Sequence, residues 1–273
     1  MATKTILLDI GGTFIKRSDG RQFPARSGES KGDISDAIRK AIGPLRSVGG
    51  VGIAIPGPFD YKRGVFLMKH KYASVYGESF RTLAKLPASI EVKYHHDVNA
   101  LLLGAIKLLN LTDKSVALVT LGTGLGFGYA IDGQVQYAPD GSPAMSLWNM
   151  PAPGGGILED ELSAKGICNA YTNATGEPSR SSLAVARMAY SGNPDAIEVY
   201  GRIGRRLGEV LSPILKELGI STLLMGGQIS KSLSLMSGSM QNELPGVEIH
   251  PVPETAVFVG LASLFDDNTN NQE

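Results

Sequence analysis

With 273 residues, 42% of them hydrophobic and 19% charged, the chain is long and apolar enough to bury a sizeable core. Its 26 Lys and Arg balance 26 Asp and Glu, so the formal net charge is zero and there is no basic field to draw in nucleic acid or anionic lipid. A single cysteine, Cys168, excludes an internal disulfide and any multi-cysteine metal site.

The apolar start at Ile6 is interrupted by Asp9 and two glycines, which makes it too short for a secretory signal. No window approaches the roughly 18 apolar residues of a membrane span. The expectation is a cytoplasmic protein in a reducing compartment, without nucleic-acid or membrane partners. Glycine is the outlier, with 34 residues and no collagen-like period, which predicts many tight turns.

In chain order, residues 4–10 predict a buried strand and Gly11-Gly12-Thr13 a turn into a return strand over 14–17. Apolar spacing over 33–42 predicts a helix capped by Asp33. A strand over 50–55 stops at Pro56-Gly57-Pro58, a helix covers 79–86, and a strand covers 90–94. Asp97 opens a helix to about 109 and is a good N-cap for it. The run Val116–Leu121 then enters a second glycine turn, Gly122-Thr123-Gly124-Leu125-Gly126, with its return strand over 128–131.

Residues 138–156, rich in Pro, Gly and Ser, predict an irregular loop. Helices follow over 157–170 and on to 217, then a buried strand over 222–225 that ends in Gly226-Gly227-Gln228. A final helix spans 257–265, and 266–273 read as a frayed polar tail. The strand, hairpin and crossover-helix theme of the first half returns after about residue 115. That implies a duplicated α/β unit with a cleft between two lobes.

Glycine lets backbone N–H groups approach an anion with no Cβ in the way, so two such turns facing across a cleft could grip a nucleotide's phosphates. Neither turn is a Walker loop, because no Gly-Lys-Ser/Thr follows the glycines. Lys16 could approach a phosphate or be a solvated strand residue. Asp9, at the end of the first strand, is an oxygen ligand suited to Mg²⁺ or an ordinary strand-end carboxylate. A carboxylate at the head of a mid-chain helix, as Asp97 is, can orient an acceptor hydroxyl and take its proton; it can also merely cap the helix.

Five segments in order resemble the ROK family, the repressor, open-reading-frame and kinase group of sugar kinases. They are Asp9–Lys16, Gly52–Pro58, Asp97–Ala100, Leu121–Gly126 and Leu224–Ser230, and the matches run from Leu7 to about Leu261. The resemblance implies a two-lobed actin-like (ribonuclease-H-like) α/β fold with an interlobe nucleotide and sugar cleft. The lobes expected are 1–108 and 109–256, with the helix at 257–273 packing back on the first. It also implies ATP-dependent phosphorylation of a sugar hydroxyl, most simply the 6-position of a glucose-like hexose, with Asp97 as general base and Mg²⁺ as cofactor.

On the same basis Asp9, Gly11, Gly12, Thr13, Lys16, Gly122, Thr123, Gly124, Gly126, Gly226 and Gly227 are expected on ATP and its phosphates, with Asp9 holding Mg²⁺ through a water. Pro56, Gly57, Lys71, His96, Asn149 and Glu159 are expected on the sugar, with His70 a further candidate. Family precedent adds a homodimer. Some relatives use polyphosphate in place of ATP, a donor that favours basic channels.

The chain departs from the family pattern on the acceptor side. His96 stands where an Asn usually precedes the catalytic Asp. Ser146, Trp148 and Asn149 replace a Glu and a Gly-His pair, and Ala152–Gly156 replaces the cysteine-rich zinc loop, so no zinc site is expected. Trp148 could stack on a sugar or fill the loop's packing. The alternative reading is a catalytically weakened sugar-binding or regulatory protein of the same fold.

Overall fold

The computed structural model describes residues 4–179 and 181–266; the tail expected over 267–273 lies outside them. Contacts divide the chain into two units. One holds the chain through Asn110, Tyr137–Pro143 and the chain from Thr255 onward; the other holds Leu111–Gln136 and Ala144–Glu254.

The first unit is built on a five-stranded sheet. Strand β1 (Lys4–Ile10) buries Ile6, Leu7, Leu8 and Ile10, turns at Gly11–Thr13, and pairs antiparallel with β2 (Phe14–Arg17), which pairs with β3 (Gln22–Pro24). Helix α1 (Lys31–Ile42) buries Ile34, Ala37, Ile38, Ala41 and Ile42, the apolar stripe the spacing predicts. Its cap is Ser30, whose side chain accepts the Asp33 N–H, so the helix starts two residues earlier than Asp33 suggested. Strand β4 (Val48–Ile55) lies parallel to β1, a small hairpin of β5 (Phe59–Asp60) and β6 (Val65–Phe66) follows, and α2 (Phe80–Ala84) leads on to β7 (Glu91–His96). The sheet order is β3-β2-β1-β4-β7, and β7 feeds α3 (Asp97–Leu108).

Against α3 packs the closing helix Ala256–Ser263. The two backbones approach so closely that a Cβ added at Gly104 would stand 1.7 Å from the Ala256 carbonyl oxygen, and one at Gly260 would stand 1.9 Å from that of Ala100.

The second unit repeats the pattern. Strand β8 (Val116–Leu121) runs antiparallel to β9 (Leu125–Ile131), which pairs with β10 (Gln134–Val135). Helices α4 (Leu158–Glu161), α5 (Ala164–Thr175), α6 (Ser182–Tyr190) and α7 (Pro194–Leu218) precede β11 (Thr222–Gly226), which is parallel to β8. A 3₁₀ segment, Gln228–Leu235, then leads to α8 (Ser237–Glu243) and β12 (Glu248–Pro251), giving the order β10-β9-β8-β11-β12. Each unit thus has a hairpin at one edge and parallel strands at the other, and each has its own apolar core.

The helix expected over 157–170 is broken at Leu162 and Ser163, because Ser163 caps α5 by accepting the Gly166 N–H. Strand β12 has no counterpart in the sequence reading: its side chains are mostly exposed, so no apolar run announces it.

Candidate functional site

In the first unit several expected residues converge. Asp97 is the first residue of α3, and its Oδ1 accepts the Val98 N–H at 2.8 Å and stands 2.9 Å from His96 Nδ1. The N-cap is His96 rather than Asp97, a correction to the capping reading. Burial would raise the Asp97 carboxyl, but the charge and hydrogen bond of His96, the Val98 N–H and the charge of Lys71 together hold it below the ordinary carboxylate value. It is therefore ionised at neutral pH.

Around this pair lie groups the sequence did not single out. The Tyr61 ring is 5.8 Å from that of His96, and its hydroxyl donates to the Ile55 carbonyl at 3.1 Å. Burial first, then the charges of Asp97 and Asp140, push the Tyr61 phenol far above its usual range, so it stays neutral. Asp140 belongs to the loop Tyr137–Pro143, which Asn99 tethers to α3 by donating from Nδ2 to the Gly141 carbonyl at 3.3 Å. Asn99 Oδ1 is buried without a hydrogen-bond partner, which leaves an acceptor for water beneath this loop. A lone Tyr after a Pro-Gly-Pro turn and an Asp in a loop carry no periodic signal, so sequence reasoning passed them by.

Gly57 follows β4, and a Cβ there would lie 3.8 Å from His96 Cδ2 and Nε2; Pro56 is its half-buried neighbour. His70 is exposed, whereas Lys71 is half-buried with its side chain laid against Gly12. The turn itself is closed by the Gly11 N–H donating to the Phe14 carbonyl at 2.9 Å, while the Gly11 and Gly12 carbonyls accept from Tyr72 and Ser27 hydroxyls at 2.7 and 2.6 Å. Thr13 is exposed at the tip, and its carbonyl accepts from Ala25.

Asp9 and Lys16 are register partners across β1 and β2. Burial, and then the Asp9 charge, push the Tyr72 phenol up, which sets that carboxylate beside the first glycine turn. Among the described residues no group of three or more His, Cys, Asp and Glu could hold a metal ion. A carboxylate just before a glycine turn is an oxygen donor of the kind that suits Mg²⁺.

The other expected residues lie in the second unit. Gly122 N–H donates to the Gly124 carbonyl at 3.0 Å and closes the second turn, with Thr123 exposed at its tip and Gly126 in β9. Glu159 sits against this turn: its Oε2 accepts the Leu125 N–H at 2.9 Å, and a Cβ at Gly124 would come within 2.5 Å of that oxygen. Asn149 is exposed, between Trp148 and Met150, whose carbonyls accept from the Glu159 and Leu158 N–H groups. Gly226 ends β11. Gly227, at φ 86°, fits against the end of β8, where a Cβ would stand 2.3 Å from the Leu121 carbonyl oxygen. Gln228 donates to Glu254 at 2.6 Å and accepts from Lys231 at 3.0 Å, so a three-residue polar cluster follows Gly227.

The family model for the ROK family matches residues 8–270. A glucokinase of Halalkalibacterium halodurans is 24% identical over an alignment of 302 positions that spans 95% of this chain and 90% of that protein. Among solved structures, a ROK family glucokinase from Streptomyces griseus in complex with glucose and AMPPNP has a TM-score of 0.76 at 22% identity, covering 95% of this chain and 98% of its own. A ROK family transcriptional regulator, a homologue of the E. coli MLC protein, has a TM-score of 0.75 at 17% identity, covering 97% of this chain and 81% of its own. Kinases and regulators thus share the actin-like fold of this chain.

Proposed function

The chain belongs to the ROK family, and on that footing we propose that it is a carbohydrate kinase. It transfers the γ-phosphoryl group of ATP to a hydroxyl of a sugar, most simply the 6-hydroxyl of a glucose-like hexose. The observation that carries this reading is the ionised Asp97 carboxylate, held by His96 and the Val98 N–H in the same unit as the first glycine turn.

The proton of the acceptor hydroxyl passes to the Asp97 carboxylate. Its oxygen bonds to the γ-phosphorus as the bond to the ADP oxygen breaks. Little covalent work falls to the protein, so positioning and charge decide the rate. Gly11 and Gly122 spend their N–H groups on closing the turns, so on this reading the donors left for phosphate oxygens are those of Gly12, Thr13, Thr123 and Gly124, with Lys16 and Gly126 flanking.

Gly226 and Gly227 admit the adenosine by close backbone approach. Asp9 would hold Mg²⁺ through water, and the ion would supply neutralisation of phosphate charge. Pro56, Gly57, His96, Asn149 and Glu159 are the residues we assign to the sugar. Among the described residues no helix is long and apolar enough to cross a membrane; a cytoplasmic homodimer is the setting we assign.

A second reading, a sugar-binding protein with little turnover, draws on Met145–Met150, which carries neither a carboxylate nor an imidazole. The two separate on one assay, ADP release over a panel of hexoses with Mg·ATP. The kinase reading expects turnover with at least one hexose, and expects Asp97→Asn to lose on the order of 10²–10⁴-fold in kcat while still being stabilised by that sugar. Stabilisation of the natural chain by sugar without ADP release would select the second reading, and an active Asp97→Asn would remove Asp97 from the role of base.

A further inference from the structure

We propose that Lys71 is a catalytic residue of the donor side, its ammonium placed to take up the charge of the phosphoryl group in transit. The inference rests on the kinase reading. A Cβ built on Gly12 would stand 3.1 Å from Lys71 Cδ, 3.2 Å from Cε and 3.6 Å from Nζ, so the lysine lies extended over the bare tip of the first glycine turn. A side chain at position 12 would crowd it by a few tenths of an ångström. The same ammonium is the smallest of the influences that lower the Asp97 carboxyl. The cation thus lies on the turn that would hold the phosphates, in the unit that also carries the carboxylate proposed as base.

The backbone that carries Lys71 is fastened to this turn. Tyr72, fully buried, takes a left-handed φ of 55°, which a bulky residue adopts only where its surroundings enforce it. Its N–H donates to the Ser27 carbonyl at 2.8 Å and its hydroxyl to the Gly11 carbonyl at 2.7 Å, while the Ser27 hydroxyl donates to the Gly12 carbonyl at 2.6 Å. Tyr72 and Ser27 thus clamp the turn and aim the preceding lysine along it.

In the reaction, the acceptor oxygen bonds to the γ-phosphorus, its proton goes to Asp97, and the bond to ADP breaks. Negative charge stays on the oxygens of the moving group. A fixed ammonium there stabilises the transition state more than the ground state, because its partner charge is redistributed only during transfer. Lys71 therefore belongs with the phosphates rather than with the sugar, where the sequence had placed it.

The test compares the natural chain with Lys71→Met, Lys71→Arg and Gly12→Ala, using calorimetric titrations with ATP, ADP and glucose alongside steady-state kinetics. Lys71→Met is expected to lower kcat by roughly 10²–10³-fold, to abolish the preference for ATP over ADP, and to leave glucose binding within about threefold. Lys71→Arg should recover part of both losses. Gly12→Ala, which crowds the lysine by a few tenths of an ångström and keeps its charge, should weaken ATP more than ADP. Loss of glucose affinity with the ATP preference retained overturns the assignment, as does a natural chain that binds ATP and ADP equally. A chain that prefers ATP yet phosphorylates no sugar would defeat the kinase reading alone, and the nucleotide comparison would still decide the lysine.

Discussion

His96 Nδ1 stands 2.9 Å from Asp97 Oδ1, and that oxygen also accepts the Val98 N–H at 2.8 Å. A 2.9 Å approach of a ring nitrogen to a carboxylate oxygen requires a proton between them, so Nδ1 donates and the Cδ2–Nε2 edge faces Gly57. With Nδ1 protonated, the 3.2 Å approach of Val98 N to it is no hydrogen bond, and the Val98 N–H goes to Asp97 Oδ1. The imidazole thus orients the carboxylate and, with Val98 and Lys71, overcomes the effect of burial on it.

The first prediction follows from that pair. A general base must be deprotonated, so activity falls as pH drops through its pKa, and Asp97 is held low. Removing the His96 donor raises that pKa and moves the acid limb of the kcat profile to higher pH. His96→Ala should show this shift with a loss of about tenfold or more in kcat/KM near neutrality, and His96→Asn, which keeps an N–H donor without the ring, should fall between. Profiles of the three proteins that superimpose on the acid side would sink the claim.

The neighbouring histidine gives a prediction about stability. His95, on the other face of β7, is buried with Nε2 3.3 Å from the Tyr137 hydroxyl. Burial, and then the charge of His96, pull its pKa down to about 4. The unfolded chain therefore binds the proton first as pH falls, so stability is present above the unfolded value and drains away toward the folded one. Between pH 7.5 and 5 this residue should cost about 2 kcal/mol of unfolding free energy. Urea titrations at the two pH values would read it, and His95→Gln should flatten the difference.

These residues mark what the sequence could disclose. The two glycine turns and the strands that enter them were legible, because a sharp reversal after an apolar run leaves few alternatives to glycine. Asp97 at the head of α3 was legible for the same local reason. That His96 rather than Asp97 occupies the cap position was hidden, since aspartate is the better capping residue of the two. The direction of Lys71 was hidden too. It depends on Tyr72 and Ser27 reaching back to Gly11 and Gly12, a contact made by folding and not by spacing. The break between α4 and α5 came from one serine accepting a backbone N–H, which an apolar pattern cannot register.

The α3 and closing-helix crossing predicts opposite outcomes for two similar substitutions. An alanine is favoured over glycine in a helix interior by up to about 1 kcal/mol. At Gly104 the added carbon would stand 1.7 Å from the Ala256 carbonyl, a backbone atom that cannot move aside, so Gly104→Ala should destabilise by about 3 kcal/mol as the helices part. At Gly201, in α7, the same carbon meets only the Ser239 hydroxyl at 3.4 Å, and Gly201→Ala should be neutral or stabilising by a few tenths. Denaturant midpoints of both variants decide the matter; equal shifts would mean the helices are not held at this distance.

Glu159 carries the last prediction. The sequence placed it on the sugar, yet its Oε2 accepts the Leu125 N–H and lies against Gly124, so it also braces the second glycine turn. Truncation strands a buried N–H, at a cost of about 1–3 kcal/mol, and loosens the turn proposed to hold phosphate. Glu159→Ala should therefore raise the KM for ATP, by about tenfold, as well as that for sugar. Gly124→Ala, whose methyl would come within 2.5 Å of the same oxygen, should act in the same direction on ATP. Because both changes break one contact, their combination should cost less than the sum of the two. Kinetics with each substrate varied in turn would expose a purely sugar-binding role: Glu159→Ala would then alter the sugar KM alone, and the two substitutions would add.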